Sequence, residues 1–140
     1  MEIISVDQDN KEKVVNFLRE ISLVHEINEE VIMNGEFVYD EEIIGLLSFE
    51  EFNKLGLIRY FIFRKVVGEE IILELFKKII TKAKARGIKA LITLVVKKDA
   101  IDIFKSLGFY EIDQDDVFIE ETAIKSTKFK DAYVLKYDLQ

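Results

Sequence analysis

The chain has no cysteine, no proline, only six glycines and a single histidine in 140 residues. Without cysteine there is neither a disulfide framework nor a thiolate metal site, which suits a cytoplasmic location. Without proline, every reversal of the chain falls to Gly, Asn and Asp. The lone His25 lacks cysteine partners, so no metal site is expected. It sits between two helical stretches, where packing or surface exposure is the simpler reading. No apolar run approaches the roughly 18–20 residues that span a bilayer. The opening MEIISVDQDNKEK has neither the basic nor the apolar region of a secretory signal. Positive charge is also scarce: 20 Lys and Arg stand against 27 Asp and Glu, a net charge of −7. That balance argues against a nucleic-acid partner, which calls for a basic face, and is compatible with a cationic acceptor.

What is present is a core-forming chain of one-domain length, residues 1–140. Hydrophobic residues make up 49% of it, enough for a core without covalent staples. Met1 to Val6 has strand character. Asp9 with Glu12 reads as a capping box, followed by Val14, Phe17, Leu18 and Ile21 on one helical face. Asn28 is placed to cap a short second helix, stopped at Asn34-Gly35. EFVYDEEIIGLLSFEEF reads as two antiparallel strands, and LIRYFIFRKVV as a third that is apolar on both faces apart from Arg59, Arg64 and Lys65, and so covered on both sides.

The stretch from Phe61 to Gly87 organises the rest. A buried strand passes through Gly68 into a long amphipathic helix, with Ile71, Ile72, Leu75, Phe76, Ile79, Ile80 and Ala83 in one stripe, and Gly87 ends it. IKALITLVV follows as a second buried strand, and a helical crossover makes the two strands parallel. Asp99 is placed to cap a further short helix with Ala100, Ile103, Phe104 and Leu107 inward, ended by Gly108. FYEI and AYVLKYDL read as strands; between them residues 113–130 are polar, with a helical turn near Glu120 to Lys125. The expected fold is α/β of the α+β kind: one mixed, mostly antiparallel sheet, helices on both faces and a central β-α-β unit.

The join around Gly68 invites an anionic ligand. A helix N-terminus presents free N–H groups and the positive end of a dipole, and a glycine lets a phosphate approach. Arg64-Lys65 ends one parallel strand and Lys97-Lys98 the other, at the carboxyl ends where open α/β sheets bind ligands. Glu69 and Glu70 oppose this, since acidic side chains satisfy the dipole themselves. The plainer alternative stands beside it: a strand-to-helix turn with two stabilising glutamates and solvated strand ends.

The element order resembles the GNAT family of N-acetyltransferases over nearly the whole chain. DAIDIFKSLGFYEI, Asp99 to Ile112, is similar to the family's helix-to-strand signature through Ala100, Leu107, Gly108 and Phe109. EEIIGLLSF resembles its second and third strands, and the helix from Glu69 to Arg86 with LITLVV its cofactor-binding core. The resemblance implies acetyl-CoA as co-substrate, held by Phe61, Ile62, Phe63, Lys65, Gly68, Glu69, Glu70, Ile71, Lys97 and Phe104. It implies transfer to a primary amine of a small molecule or peptide, entering beside the first two helices. Candidates for proton transfer are Tyr60, Glu50 and Glu51. Tyr110 is a further tyrosine, on the next strand after Phe104. The apolar sheet end is suited to a closed two-fold dimer.

Three departures are written in the residues. Where the family has Arg/Gln-x-x-Gly-x-Gly/Ala, this chain has Lys65, Val66, Val67, Gly68, Glu69 and Glu70. Phe104 stands where the family often has a proton-donating tyrosine, and Lys97 where it often has an asparagine. These departures also fit a second expectation, a non-catalytic binding or interaction module on the same fold. An unrelated α+β domain is the third.

Overall fold

The computed structural model describes residues 1–21, 27–95, 98–113, 118–119, 122–123 and 133–139. In chain order the elements are β1 (Glu2–Ser5), α1 (Lys11–Ile21), α2 (Glu29–Met33), β2 (Glu36–Asp40), β3 (Glu42–Leu47), β4 (Phe49–Phe52), β5 (Leu55–Ile58) and β6 (Ile62–Phe63). They continue with α3 (Glu69–Ala85), β7 (Ala90–Val95), α4 (Ile101–Ser106), β8 (Tyr110–Ile112), β9 (Phe118–Ile119), β10 (Thr122–Ala123) and β11 (Tyr133–Asp138). Among the described residues no helix is long and apolar enough to cross a membrane.

The strands form two main sheets, in the orders β1-β2-β3-β6 and β4-β5-β7-β11-β8. One long hairpin joins them. Its outgoing arm is β3 then β4, broken at Ser48; its returning arm is β5 then β6, broken at Arg59 to Phe61. Each arm therefore changes sheet midway, where an uninterrupted strand was expected. The side chain of Asn34, just past α2, helps pin the break by donating to the Phe49 carbonyl at 3.0 Å. The Arg59 amide donates to the Ser48 carbonyl at 2.9 Å across it. Every pairing in the two main sheets is antiparallel except β5 with β7, which run parallel over Leu55–Leu57 and Ala90–Ile92. That pair and α3 make the β-α-β unit.

Alternation of side chains along the strands sorts the core into layers. α3 and α4 cover one face through Leu75, Phe76, Ile79, Ile101 and Phe104, packed on Val38, Ile44, Phe49, Leu91 and Leu135. α1 and α2 cover the other face of the first sheet through Val14, Phe17, Leu18, Val31 and Ile32, on Phe37, Leu46 and Tyr60. The helical stripe of α3 is as its spacing predicts, and α3 ends at Gly87, whose φ of 77° suits a residue without Cβ.

Several local expectations differ. α1 starts after Asn10, not Asp9: the Asp7 carboxylate accepts from the Asp9 and Asn10 amides, 2.9 Å each, and builds the turn. Lys98–Ala100 is a 3-10 turn leading into α4, so Asp99 lies inside helical structure and Ala100 is the cap. The shifted start turns Ile101 inward and leaves Ile103 exposed. The third strand stops at Phe63 rather than Val67, and Val66 is 98% exposed. Thr122–Ala123 pairs antiparallel with Phe118–Ile119 where a helical turn was expected.

Candidate functional site

The break in the returning arm creates the site. β5 and β7 pair only as far as Leu57 and Ile92. Beyond that point β6 belongs to the first sheet, while β7 runs on through Thr93 to Val95 in the second. The two strands diverge, and a wedge opens between them.

Among the described residues, both walls of the wedge carry backbone without a strand partner. On the far side of β7, Thr93, Leu94 and Val95 pair with Leu135, Val134 and Tyr133, and no described strand pairs with them on the near edge. On β6, the Arg64 amide donates to the Ile44 carbonyl at 2.7 Å, and Gly45 faces Phe63. In an antiparallel ladder hydrogen-bonded pairs alternate with pairs that are not. Gly45–Phe63 is thus the second kind, and the Phe63 N–H turns away from β3 into the wedge. Phe61, two residues earlier, lies in the break, just before the paired residues of β6. Thr93, one residue beyond the closed end, is buried.

The side chains sort the faces. Phe61 and Phe63 pack among α3 and α4, Tyr60 and Ile62 among α1 and α2. Phe61 lies edge-on to Phe63, Phe76 and Phe104, with ring centroids 5.4, 5.5 and 5.5 Å away. Phe104 is 4% exposed. It offers a ring and no proton.

At the open end, Gly68 precedes α3 with an extended φ of −67° and makes no side-chain cap. A Cβ there would meet nothing within 4 Å, so the helix N-terminus is open to solvent. Its carbonyl accepts from the Ile71 and Ile72 amides at 3.1 and 3.4 Å. The Ile71 N–H, expected to face a phosphate, is therefore engaged. The amides of Glu69 and Glu70 precede any intrahelical acceptor, and their side chains are exposed. Lys65 is half-exposed, its Nζ 4.0 Å from Asp40. Arg64 does not join it. Its guanidinium reaches back to Glu20 (2.9 Å) and Glu42 (3.1 Å) and lies over the Phe17 ring, tying β6 to α1. Lys97 and His25 lie outside the described residues.

The three proton-transfer candidates fall on the α2 side. Tyr60 is buried, and its hydroxyl oxygen accepts from the Asn28 amide at 3.2 Å. Glu50 is ion-paired with Arg59. Glu51 pairs with Arg86 at 3.4 Å. Arg86 follows a helix about 26 Å long, so Glu51 stands at the opposite end of α3 from Gly68. A hollow of about 590 Å³ is lined by Ile27, Asn28, Glu29, Arg59 and Tyr60. A neighbouring one of about 580 Å³ includes Asn28, Glu50, Glu51 and Arg86. Tyr110 is not part of this group: on β8 its hydroxyl donates to Asp138 at 2.6 Å. That bond to a carboxylate raises the tyrosine pKa and lowers that of Asp138.

Neither the Asn28–Tyr60 bond nor the Phe61–Phe104 contact is legible in the sequence, because each joins residues more than thirty positions apart. The one available signal is the alternation of Tyr60, Phe61, Ile62 and Phe63, which assigns them to opposite faces.

No family model matches the sequence, and no curated protein does. Solved structures do. The acetyltransferase of the GNAT family from Staphylococcus aureus Mu50 superposes with a TM-score of 0.69 at 18% identity, over 99% of each chain. The fold is a GNAT fold. N-acetylglutamate synthase from Neisseria gonorrhoeae, complexed with coenzyme A and L-arginine, matches with a TM-score of 0.74 at 18% identity. That match covers 99% of this chain and 33% of the synthase, so the chain spans about a third of that protein. A Mycobacterium tuberculosis protein in complex with CoA matches over 100% of both chains, with a TM-score of 0.72 at 12% identity. At these identities the likeness is one of GNAT architecture, including the mixed sheet and the helices on both faces.

Proposed function

We propose that the chain is an acetyl-CoA-dependent N-acetyltransferase that passes acetyl directly to a primary amine of a small molecule or peptide. The observation that carries this is the wedge between β6 and β7, two strand edges splayed apart with the Phe63 amide turned inward. A thioester lying there accepts a hydrogen bond from the Phe61 or Phe63 N–H, which polarises the carbonyl as an oxyanion hole does. The diphosphate then meets the Glu69 and Glu70 amides beside Gly68 and Lys65. Solved proteins of this fold complexed with coenzyme A support the same ligand.

The amine enters from the α1 and α2 side, through the hollow bordered by Tyr60 and Arg59. Its nitrogen attacks the acyl carbon, the C–N bond forms, the C–S bond breaks, and the amine gives up a proton. Tyr60 and Glu50 are the candidates to receive or relay it; Glu51 stands further off. With Phe104 on α4, the departing thiolate takes its proton from water. Positioning then supplies most of the rate.

A second reading is a CoA-binding or interaction module without catalysis. The proton-free Phe104, the glutamates at the helix N-terminus and the ion-paired Glu50 and Glu51 favour it. Calorimetric titration with acetyl-CoA, followed by thiol release with a panel of primary amines, separates the two. Binding with turnover supports the enzyme. Binding without turnover supports the module, and no binding at high micromolar acetyl-CoA defeats both. In an active enzyme, Lys65→Glu weakens binding about tenfold, and Tyr60→Phe lowers kcat more than it changes KM.

A further inference from the structure

We propose that the acceptor is an extended peptide that lies across the start of α2, presents a lysine side chain to the wedge and seats a neighbouring basic residue beside Glu30. This rests on the acyltransferase reading and names the acceptor class for its site. Three hollows meet at the start of α2. The central one, about 590 Å³, is bordered by Arg59 and Tyr60 at the break. A second, about 350 Å³, shares Ile27 and Glu29 with it and runs along α1. The third, about 580 Å³, shares Asn28 with it and extends to Met33, Phe52 and Arg86. A compact amine fills one hollow of this size; three in contact fit a longer ligand.

Depth selects the reacting amine. The Tyr60 backbone lies in the break, and its hydroxyl reaches the Asn28 amide, where the central and third hollows join. The way from that junction to the break is therefore one tyrosine side chain long. A lysine side chain, an ammonium on a flexible four-carbon stem, is of similar length. A peptide lying over Asn28 thus places its lysine nitrogen at the break, whereas a terminal α-amine has to bring its own backbone in with it. Along α1, Glu12, Asn16 and Arg19 are spaced i, i+4, i+7 on the face that lines the second hollow. They span about 10 Å of helix, room for about three residues of extended peptide.

Charge selects the neighbour. In the third hollow Glu50 and Glu51 are held by Arg59 and Arg86, while the exposed Glu30 has no ion-pair partner among the described residues. Asn34, 7% exposed, donates through Nδ2 to the Phe49 carbonyl and leaves its Oδ1 without a described donor. Val31, Met33 and Phe52 supply apolar wall. A side chain with an apolar stem and a cationic, multiply donating tip satisfies all of these, which is the chemistry of arginine or lysine.

The test offers acetyl-CoA with four acceptors. They are an N-terminally blocked peptide with one central lysine between two arginines, the same peptide with glutamates for the arginines, an unblocked peptide without lysine, and butylamine, the lysine side chain alone. The arginine peptide is expected to exceed each of the others in kcat/KM by at least about tenfold. Glu30→Lys is expected to reduce the ratio of arginine-peptide to butylamine use about tenfold, as attraction becomes repulsion. Glu74→Lys makes the same charge change on the exposed face of α3 and is expected to leave that ratio unchanged.

Butylamine, the glutamate peptide or the terminal amine used as well as the arginine peptide overturns the inference and leaves the acyltransferase reading standing. A ratio unmoved by Glu30→Lys, or moved equally by Glu74→Lys, overturns it as well. No acetylation of the four acceptors also overturns it, and if a wider panel of primary amines is inert too, the acyltransferase reading falls with it.

Discussion

Gly45 and Phe63 show how a single residue shapes the wedge. They face one another across β3 and β6, and the Phe63 ring lies over Gly45 so closely that a Cβ there would overlap it. The glycine is needed for that approach, not for an unusual φ. Gly45→Ala therefore forces the ring off its site, and a loss of about 2 kcal/mol is expected in urea unfolding. An unchanged midpoint would mean that Phe63 moves freely. Gly68 makes the opposite point. Its sequence position suggests a glycine demanded by a phosphate loop, yet its backbone is extended and a Cβ there would meet nothing. Arg64 is a third case: adjacent to Lys65, it looks like half of an anion site, and its bonds to Glu20 and Glu42 make it a brace instead. Spacing along a strand cannot distinguish these roles, because the partners come from α1 and β3.

Among the elements, α3 was the most legible. Its apolar stripe recurs at helical period and its end is marked by glycine, both local signals. The hairpin arms were not. Neither Ser48 nor Arg59 to Phe61 carries a Gly, Asn or Asp turn signal, so periodicity alone runs each arm on as one strand. The Asn34 bond to the Phe49 carbonyl helps pin the first break, and the pairing shifts by one residue between Phe49–Ile58 and Leu46–Ile62, which marks the second. Since those breaks open the wedge, the part of the site that depends on splayed strands could be inferred from the GNAT resemblance but not from local pattern. α3 is also held against the first sheet by charge. Lys82 donates to Glu36 at 2.6 Å and to the Gly35 carbonyl at 3.0 Å, while Ser5 donates to the other oxygen of Glu36 at 2.9 Å. Glu36 is 2% exposed. Lys82→Ala strands that carboxylate, and a loss of about 3 kcal/mol in chemical denaturation is expected. Lys82→Met keeps the aliphatic stem but not the charge. If it is as stable as the parent chain, packing rather than the ion pair holds α3.

For the whole molecule, the two sheets and the hairpin that crosses between them form one device. β5 and β7 keep the sheets together at one end, and β6 and β7 part at the other. The hollow lined by Arg59 and Tyr60 borders the break on the α1–α2 face, while Gly68 leads into α3 on the other face; under the proposed reading each side takes one substrate. Acidic residues on the acceptor side and in the first turn of α3 suit a cationic acceptor better than they suit a diphosphate. CoA affinity is therefore the property on which the account depends. The most direct measurement is a CoA titration of ¹⁵N-labelled protein, read amide by amide. The account predicts saturable shifts at Phe61, Phe63, Glu69 and Glu70, with the exposed face of α1 and the β8 edge unmoved. No shift at millimolar CoA, or shifts confined to residues away from the wedge, would contradict it.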